Sequence, residues 1–357
     1  MRLRNKDDTQ TMKEKLVVGF LSLLFVASIV VAVMTTLKAP ERRGAGIGTT
    51  FAPGADGYGV VYLDGLIKES ERGGVLGYRE GAEDVMANLR WMAKTPRVKA
   101  VVLRINSPGG NVGATQEIFQ EVAKLSEKKP VVVSVGELCA SGGYYIACGA
   151  KKIVAPPGST VGSIGVIAMF PNVQGLLNDK LGVKMEVLTS SQSKMKDSGS
   201  PFRPMDPQEK ERFQAELDAV YKQFFEVVKA HRSDAVLKAA KSKGFDPALS
   251  DEQLLNNKLA DLARGQTFTG EAAKAEGLID DTGNFYDAVN AARKLVGLNE
   301  KAPMIVPQSP ASRFLDMLFS AGSPAAEPTA GQAMTEMADR LTSARMEYLY
   351  LPGGLLK

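Results

Sequence analysis

Short runs of β-branched residues alternate with amphipathic stretches of helical length from residue 58 to about residue 298. The spacing predicts strands over 60–63, 100–105 and 131–135, with helices over 80–93 and 114–125 between them. Further strands are expected over 152–155, 164–169 and 184–188, with a helix over 173–181 separating the last two. Strands joined by helices of this length are laid side by side through right-handed crossovers, so the expected fold is α/β with a largely parallel sheet. A longer helix over 207–232 carries Phe213, Leu217, Val220, Phe224, Val227 and Val228 at helical spacing. Such a face should lie across the sheet or line a subunit contact.

The two ends of the chain have a different character. Residues 16–37 form a run of 22 residues without a charge, rich in Leu, Val, Ala and Phe, long enough to span a bilayer. The run ends in Thr35-Thr36-Leu37-Lys38 with no small-residue cleavage site, so an uncleaved anchor is expected. Arg2, Arg4, Lys6, Lys13 and Lys15 precede it, against Lys38, Arg42 and Arg43 after it. That bias places segment 1–15 in the cytoplasm and the body of the protein on the far side of the cytoplasmic membrane. Residues 38–57, with Pro40, Gly44, Gly46, Pro53 and Gly54, read as a tether. Residues 299–357 are rich in Pro, Ala, Ser and Gly and read as a flexible extension.

Composition removes several functions. The 44 Lys+Arg and 40 Asp+Glu are interspersed, leaving a formal charge of only +4 and no nucleic-acid footprint. With two cysteines, Cys139 and Cys148, and one histidine, His231, the usual zinc spacings are absent, so neither a metal nor a cofactor is expected. Both cysteines read as packing thiols.

Between them lies Ser141, where the β-branched run 131–135 gives way to Gly142-Gly143-Tyr144-Tyr145-Ile146-Ala147. The glycines allow a tight turn, and a helix starting there would aim free N–H groups at the serine oxygen. Two readings follow from the residues alone, a nucleophile or an ordinary helix cap. A nucleophile needs a base. His231 closes the long helix, where a histidine typically satisfies carbonyls, and the Gly-x-Ser-x-Gly elbow fails because position 139 is cysteine. Lysine is the remaining common base. Deprotonating serine requires a neutral amine, and moving a lysine from about 10.4 to near 7 or 8 takes roughly 4 kcal/mol of destabilisation of the charged form.

Three segments in order sharpen the choice: Asn106-Ser107-Pro108-Gly109-Gly110 closing a strand, Ala140-Ser141-Gly142-Gly143-Tyr144-Tyr145-Ile146-Ala147, and Gly162-Ser163-Ile164-Gly165-Val166. Together they resemble the short form of the signal peptide peptidase A family, membrane-anchored Ser-Lys peptidases with a crotonase-like, or Clp-protease-like, ββα-type core. The resemblance covers about 58–298. It implies Ser141 as nucleophile and the N–H groups of Gly110 and Gly142 as the oxyanion hole; donors of this kind are worth about 3 to 4 kcal/mol to acyl transfer. It implies Lys196 as general base, five residues before Pro201, with Lys194 as the alternative, and Ser163 as the hydroxyl that orients the amine. It further implies a ring-shaped homo-oligomer with sites completed across interfaces, acting on remnant signal peptides and other hydrophobic peptides at the membrane, from the periplasmic side. The competing readings are a catalytically silent membrane scaffold and a crotonase-type acyl-CoA enzyme.

Overall fold

A computed structural model describes residues 55–72, 79–244 and 248–307. The anchor expected over 16–37, most of the tether and the extension beyond 307 lie outside the described residues. No helix among the described residues is long and apolar enough to cross a membrane.

The chain enters through β1 (Gly57–Asp64), and a short antiparallel pair follows, β2 (Glu71–Arg72) with β3 (Arg79–Glu80). Then come α1 (Ala82–Lys94), β4 (Val98–Ser107), α2 (Val112–Lys128), β5 (Val131–Ala140), α3 (Gly142–Ala147), β6 (Lys152–Ala155) and β7 (Thr160–Gly162). The C-terminal half holds α4 (Pro207–Ser242), α5 (Asp251–Leu262), β8 (Thr267–Thr269), α6 (Gly270–Ala275), β9 (Asp281–Thr282), α7 (Phe285–Leu295) and β10 (Met304–Ile305). The main sheet runs β10-β1-β4-β5-β6-β9, with β7 paired to β5 and β8 to β7; every pairing is parallel except β7 with β8.

Side chains alternate across this sheet as a period of two requires. Val101, Leu103 and Ile105 of β4, with Val131, Val133 and Val135 of β5, meet Leu89 and Met92 of α1 and Ile118 and Val122 of α2. Ala100, Val102 and Val132 point the other way, onto Ala288, Val289 and Ala292 of α7. Both faces are covered, which is why the strands read as almost continuous apolar runs.

β5 bends halfway. Its first half pairs with β6 and its last three residues with β7. At the bend a Cβ on Gly136 would lie 2.9 Å from Asn106 Cβ, and the Asn106 carboxamide oxygen accepts the N–H groups of Glu137 and Leu138 at 3.2 and 3.1 Å. A side chain from β4 thus satisfies the amides that the bend frees, and the redirected strand ends at Ser141.

The segment between β7 and α4 departs from the expectation. Neither 164–169 nor 184–188 forms a strand, and the helix expected over 173–181 is a single wide turn, Leu176–Lys180. Their apolar pattern is real, but among the described residues no sheet edge comes alongside to pair with them. α4 is longer than expected, running ten residues past Arg232 to Ser242. Pro207 occupies its first turn, and Asp206 and Glu209 close a reciprocal capping box. Its buried face, Phe224, Val228, Arg232, Val236 and Ala240, belongs to the C-terminal part. The sheet also gains Met304 and Ile305, which lie beyond 298 and pair with Tyr58 and Gly59.

Candidate active site

Strand β4 ends in the segment Ser107-Pro108-Gly109-Gly110. The buried Ser107 hydroxyl accepts the Gly109 N–H at 3.1 Å. Outside it, Ile67 N–H donates to Gly109 O and Asn111 N–H to Ile67 O, both at 2.8 Å. The loop is therefore held on both sides of Gly110, whose own N–H finds no backbone acceptor among the described residues. Glycine is required twice here. A Cβ on Gly110 would sit 2.0 Å from Ile67 O, and one on Gly109, at φ 97°, would sit 2.6 Å from the Gly142 nitrogen and 2.8 Å from Ser141 Cβ. The glycine segment is thus packed directly against the serine turn.

Ser141 adopts φ 49° and ψ −121°, a conformation that costs a non-glycine residue of order 1–3 kcal/mol. Two backbone bonds hold it there: Ser141 N–H donates to Gly162 O at 2.8 Å, and Tyr145 N–H donates to Ser141 O at 2.9 Å. The residues of α3 that follow are all buried. The side chain makes no capping hydrogen bond, so of the two readings open in the sequence the ordinary cap is the one the geometry lacks. The Gly142 N–H, like that of Gly110, has no backbone acceptor among the described residues.

Ser141, Gly110, Gly142 and Ser163 all line one cleft of about 700 Å³, whose far wall includes Tyr221 and Phe224 of α4. Ser163 is the second non-glycine residue with positive φ, 51°, and its N–H donates to Gln266 O at 2.8 Å. Because Ser141 is bonded to the neighbouring Gly162, the two serines are brought to the same site by the end of β7. Lys196 is not brought there. It lies with Lys194 on the short 3-10 turn Lys194–Asp197; both side chains are exposed and neither lines the cleft.

His231 is also absent from the cleft lining; its ring stands edge-on to Phe119 at 5.5 Å, and burial together with the adjacent Arg232 pushes its pKa down. Cys139 and Cys148 are free and buried, and burial raises both thiols, Cys148 to about 12, so they are inert packing groups.

Two residues at or near the site escaped the sequence reading. Thr115 of α2 lines the cleft, is only 4% exposed, and its hydroxyl has no hydrogen-bond partner. A Cβ on Gly142 would come within 2.6 Å of that hydroxyl. The other is Arg203, which binds Asp197 on the lysine turn and Glu209 at the start of α4. Only the capping box Asp206-Pro207-Gln208-Glu209 hints at it in the sequence, by marking where that helix begins.

The sequence matches the model of peptidase family S49 over residues 123–253 and 250–299, and that of Clp protease over residues 77–161. It is 34% identical over 266 residues to Protease 4 of Salmonella typhi, covering 74% of this chain and 37% of that protein. It is 34% identical over 238 residues to Protease 4 of Haemophilus influenzae, covering 66% and 34%. The chloroplastic serine protease SPPA of Arabidopsis thaliana is 31% identical over 246 residues, covering 68% and 33%. The chain thus spans about a third of the length of these curated relatives. The S49 match takes in β5, the serine turn, the lysine turn and the long helix, and the chain belongs to peptidase family S49.

Proposed function

We propose that this protein is a membrane-anchored serine endopeptidase working through a Ser-Lys dyad. The observation that carries the reading is Ser141, held at a strained backbone angle without a capping bond, opposite two glycine amides that have no backbone acceptor. Ser141 Oγ attacks the scissile carbonyl carbon while its proton passes to a neutral lysine amine. The carbonyl oxygen takes the negative charge between the Gly110 and Gly142 N–H groups. The resulting ammonium then protonates the leaving nitrogen as the C–N bond breaks. In the second half the amine takes a proton from water as the water oxygen attacks the acyl ester, and the ammonium returns that proton to Ser141 Oγ as the ester C–O bond breaks.

The base is Lys196, supplied by a neighbouring copy. Two features support this: neither Lys196 nor Lys194 lines the cleft of its own chain, and the segment leading to them exposes large apolar side chains that a second copy would cover. Ser163, inside the cleft, receives the incoming amine. A ring of subunits follows from such head-to-tail completion. The apolar cleft wall and the uncharged run at 16–37 favour hydrophobic peptides, remnant signal peptides among them, as substrates, met on the periplasmic face of the membrane.

The test uses the full chain in detergent. Ser141→Ala should abolish hydrolysis of a fluorogenic apolar peptide and labelling by a fluorophosphonate, with assembly retained. Lys196→Ala should be equally inactive and Lys194→Ala active, and mixing the Ser141→Ala and Lys196→Ala subunits should restore part of the activity. Residual cleavage by Ser141→Ala would overturn the nucleophile; no recovery on mixing would overturn the shared site.

A further inference from the structure

Arg203 lies on the loop between the lysine turn and α4, and all five N–H donors of its guanidinium are used. Nε donates to Asp197 Oδ2 at 2.7 Å and Nη2 to the Asp197 carbonyl at 2.8 Å, so side chain and backbone of one residue are held together. Nη1 donates to Glu209 Oε2 at 3.0 Å and to Pro204 O at 3.1 Å, and Nη2 also bonds Glu209 Oε1. Glu209 is 2% exposed and is itself fixed, because its carboxylate accepts the Asp206 N–H at 3.2 Å while Asp206 accepts the N–H groups of Gln208 and Glu209. The guanidinium therefore ties the residue that directly follows Lys196 to the capped end of a 36-residue helix.

We infer that Arg203 is a positioning residue for the Lys196 amine, fixing its turn to α4 and neutralising the carboxylate beside it. The inference rests on Lys196 being the base. The charged groups of its turn and of the elements tied to that turn are Lys194 and Asp197, Arg203 and Asp206 on the following loop, and Glu209 on α4. A carboxylate next to a lysine favours the ammonium form, which is useless as a base. Arg203 spends its charge on Asp197 and Glu209, and Glu209 is held below the usual carboxylate range by that bond. Without the guanidinium, two carboxylates would face the lysine turn unpaired, and the turn would lose its tether. Lysine in place of arginine would keep the charge but could not grip a carbonyl and two carboxylates in one plane.

The experiment measures kcat and KM against pH for the full-length protein, with circular dichroism and sedimentation to follow folding and assembly. Arg203→Gln should lower kcat at neutral pH by roughly 10- to 100-fold with KM nearly unchanged, the loss expected for a misplaced catalytic group. It should also move the acid limb of the kcat/KM profile upward by about one unit, because more alkali is needed to free the amine. Adding Asp197→Asn should return the limb to its wild-type position, whereas a merely structural role would leave the limb where it was in both variants. Arg203→Lys should keep the limb and still lose kcat, and it decides the matter if Arg203→Gln fails to assemble. Wild-type kcat in Arg203→Lys, or a wild-type kcat and limb in Arg203→Gln, overturns the inference. Lys196→Ala separates the two claims: if it is active, the base assignment and the inference fall together, and if it is inactive while Arg203→Gln is normal, only the inference falls.

Discussion

Ser141 opens a helix in which every residue is buried, whereas Ile167 and Leu188, on the segment leading to Lys196, expose 81% and 88% of their surface. The serine side is assembled by parallel pairing and by packing on both faces of the sheet, so its chain geometry is over-determined and can hold a strained residue. The segment leading to Lys196 has the apolar content of a core, yet none of its residues from Gly165 onward is buried among the described residues. Within one copy, therefore, the serine turn is fixed by its own fold while the lysine turn stands exposed.

Two arginines express the same contrast. Arg232 is 6% exposed; it donates to both carboxylate oxygens of Asp280 at 3.1 and 3.0 Å and to Gly277 O at 3.1 and 2.9 Å, joining α4 to the loop before β9. Arg203 makes five such bonds, one more than Arg232, from a partly exposed position. Removing one partner of a buried pair leaves an uncompensated polar group, and Arg232→Met should cost about 3 kcal/mol of folding stability, read from the denaturant midpoint at constant slope. Arg203→Gln should shift the midpoint less, because this guanidinium is itself partly open to solvent, while affecting turnover far more. Equal losses in the two variants would break the comparison, because the arm formed by residues 165–206, between β7 and α4, would then be part of the cooperative core.

A smaller effect is expected at Thr115. Thr115 stands in the first turn of α2, and its N–H donates to the Asn111 carbonyl, to which its hydroxyl could also bond back but does not. Replacing an unpaired buried hydroxyl by a group of the same shape removes a desolvation cost, so Thr115→Val should raise stability by about 1 kcal/mol. A loss of stability would mean that the hydroxyl has a partner after all, and that the wall behind Gly142 is held by more than packing.

How far the sequence could be read follows the same division. Segments that pair within the chain were legible: β6 falls at the expected 152–155, and α1 is shifted by one or two residues. β4 and α2 extend the expected ranges by two or three residues at each end, and β5 starts where expected but runs five residues further, to Ala140. Ser141 and the glycine pair stood out because tight turns demand glycine. Expectation failed at 164–169 and 184–188, where β-branched residues signal a strand but strand formation depends on a pairing edge. Nor could pattern reveal Thr115 or Arg203. Their roles arise where distant elements meet, α2 behind the serine turn and the end of the arm against α4, and periodicity carries no record of such meetings. Position 304–305 was hidden for a similar reason, since two residues of strand in a Pro-rich context are recruited only because the edge of β1 is free.

The smallest expected change in folding stability is also the one that sharpens the comparison most. Ile167 and Leu188 contribute little to the core of their own chain, so the double substitution Ile167→Asp and Leu188→Asp should shift the unfolding midpoint of dilute protein by no more than about 0.5 kcal/mol, as for other exposed sites. If these side chains are instead buried by a second copy, two carboxylates placed there would be desolvated without partners and would oppose association. Sedimentation should then show smaller species, the midpoint should lose its dependence on protein concentration, and peptide hydrolysis should fall while each chain remains folded. A variant that unfolds would mean that the arm is stabilised from within its own chain. A variant that stays assembled and active would mean that the exposed apolar surface serves something other than contact between copies, and that the lysine reaches the cleft by another route.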